Sequence, residues 1–192
     1  MQQETSVPGA VADDGVIGMI LRLLERSDDD ALKLIEGSIS RWPADGRLPF
    51  LRGAILVGMD RRNEARSDFA RSVLLCPELH VARFMLGLID LESGKVDDAK
   101  QVWEGLANLD EDNVLRMFAN GLFELVADDF EGAATTLRAA RAINHDFPAI
   151  NRYVDDVIER ITSVLNAKAA QTADNVVQHY LLGGYIASST RH

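Results

Sequence analysis

Runs of acidic residues are the first feature of this sequence that suggests chemistry. Aspartates at 28–30, 97–98 and 128–129 place carboxylates side by side, as a cation site or an acid–base pair requires. Each run, however, opens a predicted helix, where acidic side chains cap free N–H groups and complement the helix dipole. The run at 110–113 lacks the glycine and the closing glutamate of a calcium loop. We therefore interpret these runs as helix starts and expect no metal site.

Cys76 and His80 are the second candidate, as a nucleophile and its base. Cys76 directly precedes Pro77 at a predicted helix end, and no group nearby is placed to stabilise an oxyanion, so we interpret this cysteine as structural. The other histidines show no ligand spacing, and the sequence contains no P-loop, dinucleotide fingerprint or nucleophile elbow. We expect a protein that is not an enzyme and that binds no cofactor.

Composition indicates one helical domain. The chain has 192 residues, of which 47% are hydrophobic and 26% charged, a balance typical of a globular protein with a core. Aromatic residues make up only 6% and there are five prolines, which disfavours a β-sandwich and favours an all-α fold. The net charge of −10 opposes binding to nucleic acid or to an anionic membrane. No stretch is apolar enough to span a membrane.

The single cysteine excludes an internal disulfide framework and fits a reducing compartment. The first nine residues contain no basic side chain, which is not the pattern of a signal peptide, and residues 1–11 are expected to be flexible. Lysine is scarce beside arginine, a weak indication of a bacterial source. We expect a cytoplasmic protein.

A repeat of 34 residues predicts the architecture. Small residues, bulky apolar residues and prolines recur at this interval: Gly53, Gly87 and Gly121; Ala31, Ala65, Ala99 and Ala133; Ile35, Phe69, Trp103 and Leu137; Pro43 and Pro77. Apolar spacing within each unit predicts two helices, at about 12–26 and 29–42, 46–60 and 63–75, 80–93 and 96–109, and 114–127 and 130–143. Glycine and alanine are needed where two helices cross closely.

These residues resemble the tetratricopeptide repeat. The Leu86-Gly87 pair, Ala99 and Trp103 match that family's pattern in one unit, and Gly53, Ala65, Phe69 and Pro77 match it in the unit before. The resemblance covers residues 12–147 as four repeats, 12–45, 46–79, 80–113 and 114–147. It departs from the family at Met19, where glycine is expected, and in the missing prolines after the third and fourth units. The resemblance implies a helical solenoid that binds other proteins.

Pro148 suits the first turn of a further helix, and an apolar stripe after it predicts a capping helix over residues 148–170. Residues 171–192 form a C-terminal tail segment. Its apolar residues Val176, Val177, Tyr180 and Leu181 have helical spacing between a loosened junction at 167–172 and a break at residues 183–184. We expect residues 173–186 to fold back onto the last units, in the same molecule or in a neighbour.

The resemblance places the first helix of each unit along a concave groove. Twelve positions line it in this register, all apolar: Val16, Phe50, Phe84 and Phe118; Ile20, Ala54, Leu88 and Leu122; Leu23, Val57, Leu91 and Leu125. The lysines and asparagines of the carboxylate clamp found in chaperone-binding members are absent from these columns. The pattern predicts an adaptor or chaperone that binds an apolar peptide or amphipathic helix of a partner protein.

Two alternatives remain open at this stage. The twelve residues are core if strong curvature or the chain's own tail covers them. The groove or the tail could also close a homodimer or larger homo-oligomer, which would make the chain a structural subunit.

Overall fold

The computed structural model describes the backbone of residues 11–188 and the side chains of residues 11–171. Every regular element in this part of the chain is a helix, as expected. The helices are α1 (Asp14–Leu24), α2 (Asp28–Arg41), α3 (Arg47–Gly58), α4 (Arg62–Leu75), α5 (His80–Glu92), α6 (Val96–Trp103), α7 (Val114–Val126), α8 (Phe130–Ile143) and α9 (Pro148–Ser188). A short 3-10 helix, Glu104–Leu106, continues α6.

The chain forms two compact units, Met1–Leu109 and Asp110–His192. In the first unit the pairs α1/α2, α3/α4 and α5/α6 follow one another, and each helix packs on the next one along the chain. In the second unit α7 packs on α8, and α8 packs on α9. Adjacent helices joined by short turns are the packing expected of a helical repeat, in which each element contacts its sequence neighbours.

The glycine column marks the close helix crossings. A Cβ atom added at Gly53 would stand 2.8 Å from the Phe69 ring, and one at Gly121 would stand 2.7 Å from Leu137 Cγ. Gly87 faces Trp103 in the same way. The alanines of the neighbouring column, at 31, 65, 99 and 133, are fully buried. Side chains larger than a methyl group would hold these helices apart, which confirms the reason given for the two columns.

The turns within the last three pairs share one geometry. Asp60, Gly94 and Asp128 adopt left-handed backbone conformations, with φ of 58°, 75° and 60°, at intervals of 34 residues. The residue after each donates its N–H to a carbonyl five residues back, at 2.8 to 2.9 Å. This is the Schellman ending of a helix. In the first pair the turn differs, because Ser27 N–H bonds four residues back, to Leu23, and the Ser27 hydroxyl caps α2.

Buried ion pairs join consecutive helices of the first unit. Arg52 on α3 donates to both carboxylate oxygens of Asp68 on α4, at 2.6 and 2.5 Å. Arg66 on α4 does the same to Asp90 on α5, at 2.6 and 2.9 Å. Hydrogen bonds to these aspartates raise the pKa of Arg52 and of Arg66 above the ordinary value. Both carboxylates are buried, so each depends on its arginine. These two ion pairs were not predicted from the sequence.

Asp45 fixes the start of α1 against the start of α3. Its carboxylate accepts the Ala12 N–H at 2.9 Å and the Arg47 guanidinium at 2.8 and 3.0 Å. Arg47 also donates to the Ala12 carbonyl at 2.5 Å and to Asp14 at 3.1 Å. Burial raises the pKa of Asp45, but the hydrogen bonds from Arg47 and Ala12 outweigh it and lower the pKa below 3.8.

The last helix is longer than predicted. α9 is continuous for 41 residues, from Pro148 through the expected junction at 167–172 and the expected break at 183–184. A continuous helix cannot fold back at either place, so the hinged tail was wrong for the backbone up to Ser188. The tail's apolar side chains, Val176, Val177, Tyr180 and Leu181, lie outside the described side chains. No helix within residues 11–188 has both the length and the apolar character needed to span a bilayer.

Candidate functional site

The twelve predicted groove residues fall into three classes of exposure. Five are buried, six are half-buried and one is exposed. The buried ones are Ile20, Phe84, Leu88, Phe118 and Leu122; the half-buried ones are Val16, Leu23, Phe50, Val57, Leu91 and Leu125; the exposed one is Ala54.

Phe84 shows why part of the predicted groove is core. Its ring stacks on Trp103 of the paired helix, with centroids 5.6 Å apart and planes at 9°. The Trp103 indole N–H donates to the Phe84 carbonyl at 3.0 Å. Ile20 likewise belongs to an apolar cluster with Ile35 and Leu48. The prediction that all twelve side chains face an open groove was therefore wrong for the five buried ones, which lie in the interior.

One of the three columns stays partly accessible along the whole first unit. Leu23, Val57 and Leu91 are half-buried and occupy equivalent places on α1, α3 and α5. Ala54, one turn before Val57, is exposed, and Phe50, one turn earlier again, is half-buried with its ring 5.9 Å from the Phe69 ring. These residues form an apolar face, defined here as the first-helix face: Leu23, Phe50, Ala54, Val57 and Leu91.

A cleft of about 310 Å³ opens between α1 and α2. Val16 of α1 lines it together with residues of α2 and the residue that follows α2: Lys33, Leu34, Gly37, Ser38, Arg41 and Trp42. The Arg41 guanidinium lies 4.8 Å from the Trp42 ring centroid, an arrangement that fixes both side chains at the rim. Of these residues only Val16 was predicted. The missed signal is Gly37, a glycine inside a predicted helix where the next pair has Arg71.

A smaller apolar cavity of about 130 Å³ lies in the second unit. Leu125 of α7, Phe130 of α8 and three apolar residues of α9, Val157, Ile161 and Val164, line it with Arg160. Lys168 places its ammonium group 4.2 Å from the Phe130 ring centroid. Leu125 is the one predicted groove residue in this cavity.

The acidic runs lie in the first turns of helices, at 28–30 in α2 and 97–98 in α6. Asp129 caps α8 by accepting the Gly132 N–H at 2.9 Å. Among the described residues, no three His, Cys, Asp or Glu side chains are grouped as a metal site needs. Cys76 is half-buried at the end of α4, against the backbone of Gly46.

Solved structures with a similar fold exist. MamA 41-end from Desulfovibrio magneticus RS-1 matches with a TM-score of 0.56 and 14% identity, over 82% of this chain and 98% of that chain. The MamA RS-1 ArsTM double mutant matches with the same TM-score and identity, over 84% and 99%. No protein-family model and no curated protein matches the sequence. At 14% identity the similarity establishes the fold alone, and the fold is a tetratricopeptide-like helical solenoid.

Proposed function

We propose that this chain is a non-catalytic interaction module that binds an apolar segment or amphipathic helix of another protein. The observation that carries the proposal is the first-helix face. Leu23, Val57 and Leu91 repeat a half-buried apolar side chain on three successive first helices, with exposed Ala54 among them. An apolar face of this length that water alone covers is uncommon in a monomer, which favours a protein partner.

The chemistry of this face suits a peptide better than a small molecule. A repeated row of apolar positions matches the i, i+3, i+4 and i+7 anchors of an amphipathic helix or the alternate side chains of an extended segment. An adaptor or chaperone role in a bacterial cytoplasm is the form of this function that we propose.

A comparative capture experiment tests the function. The tagged full chain, Ala54→Glu and Ser67→Glu are used to isolate bound proteins from the native cell, followed by quantitative mass spectrometry. Ser67 is the matched control, because it is also exposed but lies on α4, a second helix. We expect proteins that the wild type and Ser67→Glu retain and that Ala54→Glu loses, since a carboxylate on the apolar face must be desolvated on binding.

Two outcomes of the capture experiment would contradict the proposal. If the three baits retain the same proteins in the same amounts, the first-helix face is not the binding surface. If none of the baits retains any protein above a tag-only control, the proposed function is wrong.

The length of α9 favours a second candidate, a subunit that self-associates. At about 1.5 Å per residue, α9 is roughly 60 Å long and α8 roughly 20 Å, so most of α9 extends past the helix on which it packs. The side chains from Asn166 to Gln171 are all exposed. This candidate predicts that the full chain is a dimer by light scattering and that truncation after Ala170 makes it a monomer. A monomeric full chain contradicts it.

A further inference from the structure

Two residues that line the cleft between α1 and α2 stand where the second pair has charged side chains. Leu34 occupies the position of Asp68, and Gly37 that of Arg71. In the second pair Asp68 is held by Arg52 in a bidentate ion pair. In the first pair the equivalent residue, Leu34, instead faces a cleft of about 310 Å³.

Gly37 has no packing reason among the residues that the structure describes. It lies in the middle of α2, where glycine is less favourable than alanine because it gains backbone freedom on unfolding. A Cβ atom added there would meet no atom within 4 Å, unlike those at Gly53 or Gly121. The remaining physical use for glycine at the edge of a cleft is the close approach of another backbone.

Two cations flank Gly37 on one face of α2. Lys33, Gly37 and Arg41 are spaced by four residues, which places them in a row with the two charges roughly 12 Å apart along the axis. Lys33 pairs with Asp30 at 3.4 Å, and both side chains are well exposed, so this pair is weak and easily exchanged. A basic rim around an apolar cleft is notable in a chain of net charge −10.

We propose that this cleft binds an extended segment of a partner protein with an acidic residue, a bulky apolar residue and a second acidic residue at alternate positions. Residues i, i+2 and i+4 of an extended chain face the same side and span about 13 Å, which matches the spacing of the two cations. The apolar side chain enters between Val16, Leu34 and Trp42, and the backbone runs along α2 past Gly37. The inference rests on the proposed protein-binding function and specifies one ligand chemistry.

Nuclear magnetic resonance on the full ¹⁵N-labelled chain tests it with three capped peptides. The probe is Asp-Ser-Leu-Ser-Asp; the controls are Asn-Ser-Leu-Ser-Asn, without charge, and Asp-Ser-Ala-Ser-Asp, without the anchor. The chain has two tryptophans, Trp42 at the cleft and Trp103 in the core. The Trp42 indole N–H signal therefore reports binding at the cleft, and the Trp103 signal is the internal control. We expect a saturable shift of Trp42 with the probe, about fivefold weaker affinity for the uncharged peptide, and no saturable shift with the alanine peptide.

Two substitutions at one position provide the matched variants. Gly37→Leu places a side chain in the open cleft and should abolish the Trp42 shift, whereas Gly37→Ala is too small to fill it and should retain binding. Both variants should fold, because no atom lies near the added Cβ.

Any one of three results overturns the proposal: the charged and uncharged peptides bind with equal affinity, Gly37→Leu still binds the probe, or no peptide shifts the Trp42 signal. A Trp42 signal that moves on deletion of residues 1–10 identifies the chain's own first segment as the occupant, and one that moves with protein concentration identifies a second copy. None of these results changes the expected outcome of the capture experiment with Ala54→Glu. Failure of the cleft proposal can therefore be distinguished from failure of the proposed function.

Discussion

At the scale of the residue, the first unit depends on three buried carboxylates and their arginines. Asp45, Asp68 and Asp90 are each almost inaccessible to water, and each accepts hydrogen bonds from an arginine. Removing one partner leaves a buried charge without compensation, which costs more than the pair contributes.

Asp45 gives a pH dependence of known sign. Hydrogen bonds from Arg47 and Ala12 hold the pKa of Asp45 in the folded chain below its ordinary value, so its stabilising contribution is complete well above the unfolded-state pKa and is lost as pH falls through the folded-state pKa. We expect Asp45→Asn to lower the free energy of unfolding by about 2 kcal/mol at pH 7. The difference from wild type should shrink as pH falls below 3.8 in urea denaturation series. A difference that is constant from pH 7 to pH 2 would contradict the assigned ion pair.

The boundary between core and surface on the first helices is also decided at single residues. Phe84→Glu should lower the free energy of unfolding by roughly 3 to 5 kcal/mol, because it removes a fully buried ring and buries a carboxylate. Ala54→Glu should leave the melting temperature unchanged, since that position is exposed. Circular dichroism melts of the two variants separate these outcomes. Equal melting temperatures would mean that Phe84 lies on an open face after all.

At the scale of the helix, glycine has opposite effects on stability in the turn between α5 and α6 and in the interior of α2. Gly94 has a φ of 75° in the turn between α5 and α6, a conformation that side chains with a Cβ adopt at a cost of about 1 to 2 kcal/mol. Gly37 lies inside α2 with open space around it. The same residue type is therefore favourable for folding in one place and unfavourable in the other.

Alanine substitution at these two glycines should change stability in opposite directions. Gly94→Ala should lower the free energy of unfolding by about 1 to 2 kcal/mol. Gly37→Ala should raise it by about 1 kcal/mol, because alanine has the higher helix propensity. Both values come from chemical denaturation at one pH. If Gly94→Ala is neutral, the left-handed turn is not the one present in solution.

The starts of the eight paired helices were predictable from the sequence to within two residues, because the 34-residue spacing constrains every turn at once. The end of α9 was not predictable, and neither was the burial within the first two columns of the predicted groove. A repeat register assigns side chains to a face of a helix, but burial depends on the size of the residue opposite, such as Trp103 against Phe84. The α1/α2 cleft was missed because no motif marks it, and the glycine that lines it, Gly37, follows no 34-residue column. The ion pairs were missed because two charges 16 or 24 residues apart carry no local pattern.

At the scale of the whole molecule, apolar side chains differ in how far other parts of the chain bury them. The five buried groove residues have such cover. The first-helix face and the α1/α2 cleft, both within the first unit, are only partly covered among the residues described. We therefore propose that the first unit's accessible apolar residues bind a partner and that the buried ones stabilise the fold.

Photo-cross-linking in the native cell measures contact at this face directly. Benzoylphenylalanine replaces Ala54 on α3 in one version of the full chain and Ser67 on α4 in the other, both exposed positions. We predict that irradiation links position 54, and not position 67, to one or a few specific proteins. These products would be visible as discrete bands of higher mass. Absence of any cross-link at position 54, or the same bands from both positions, would contradict it.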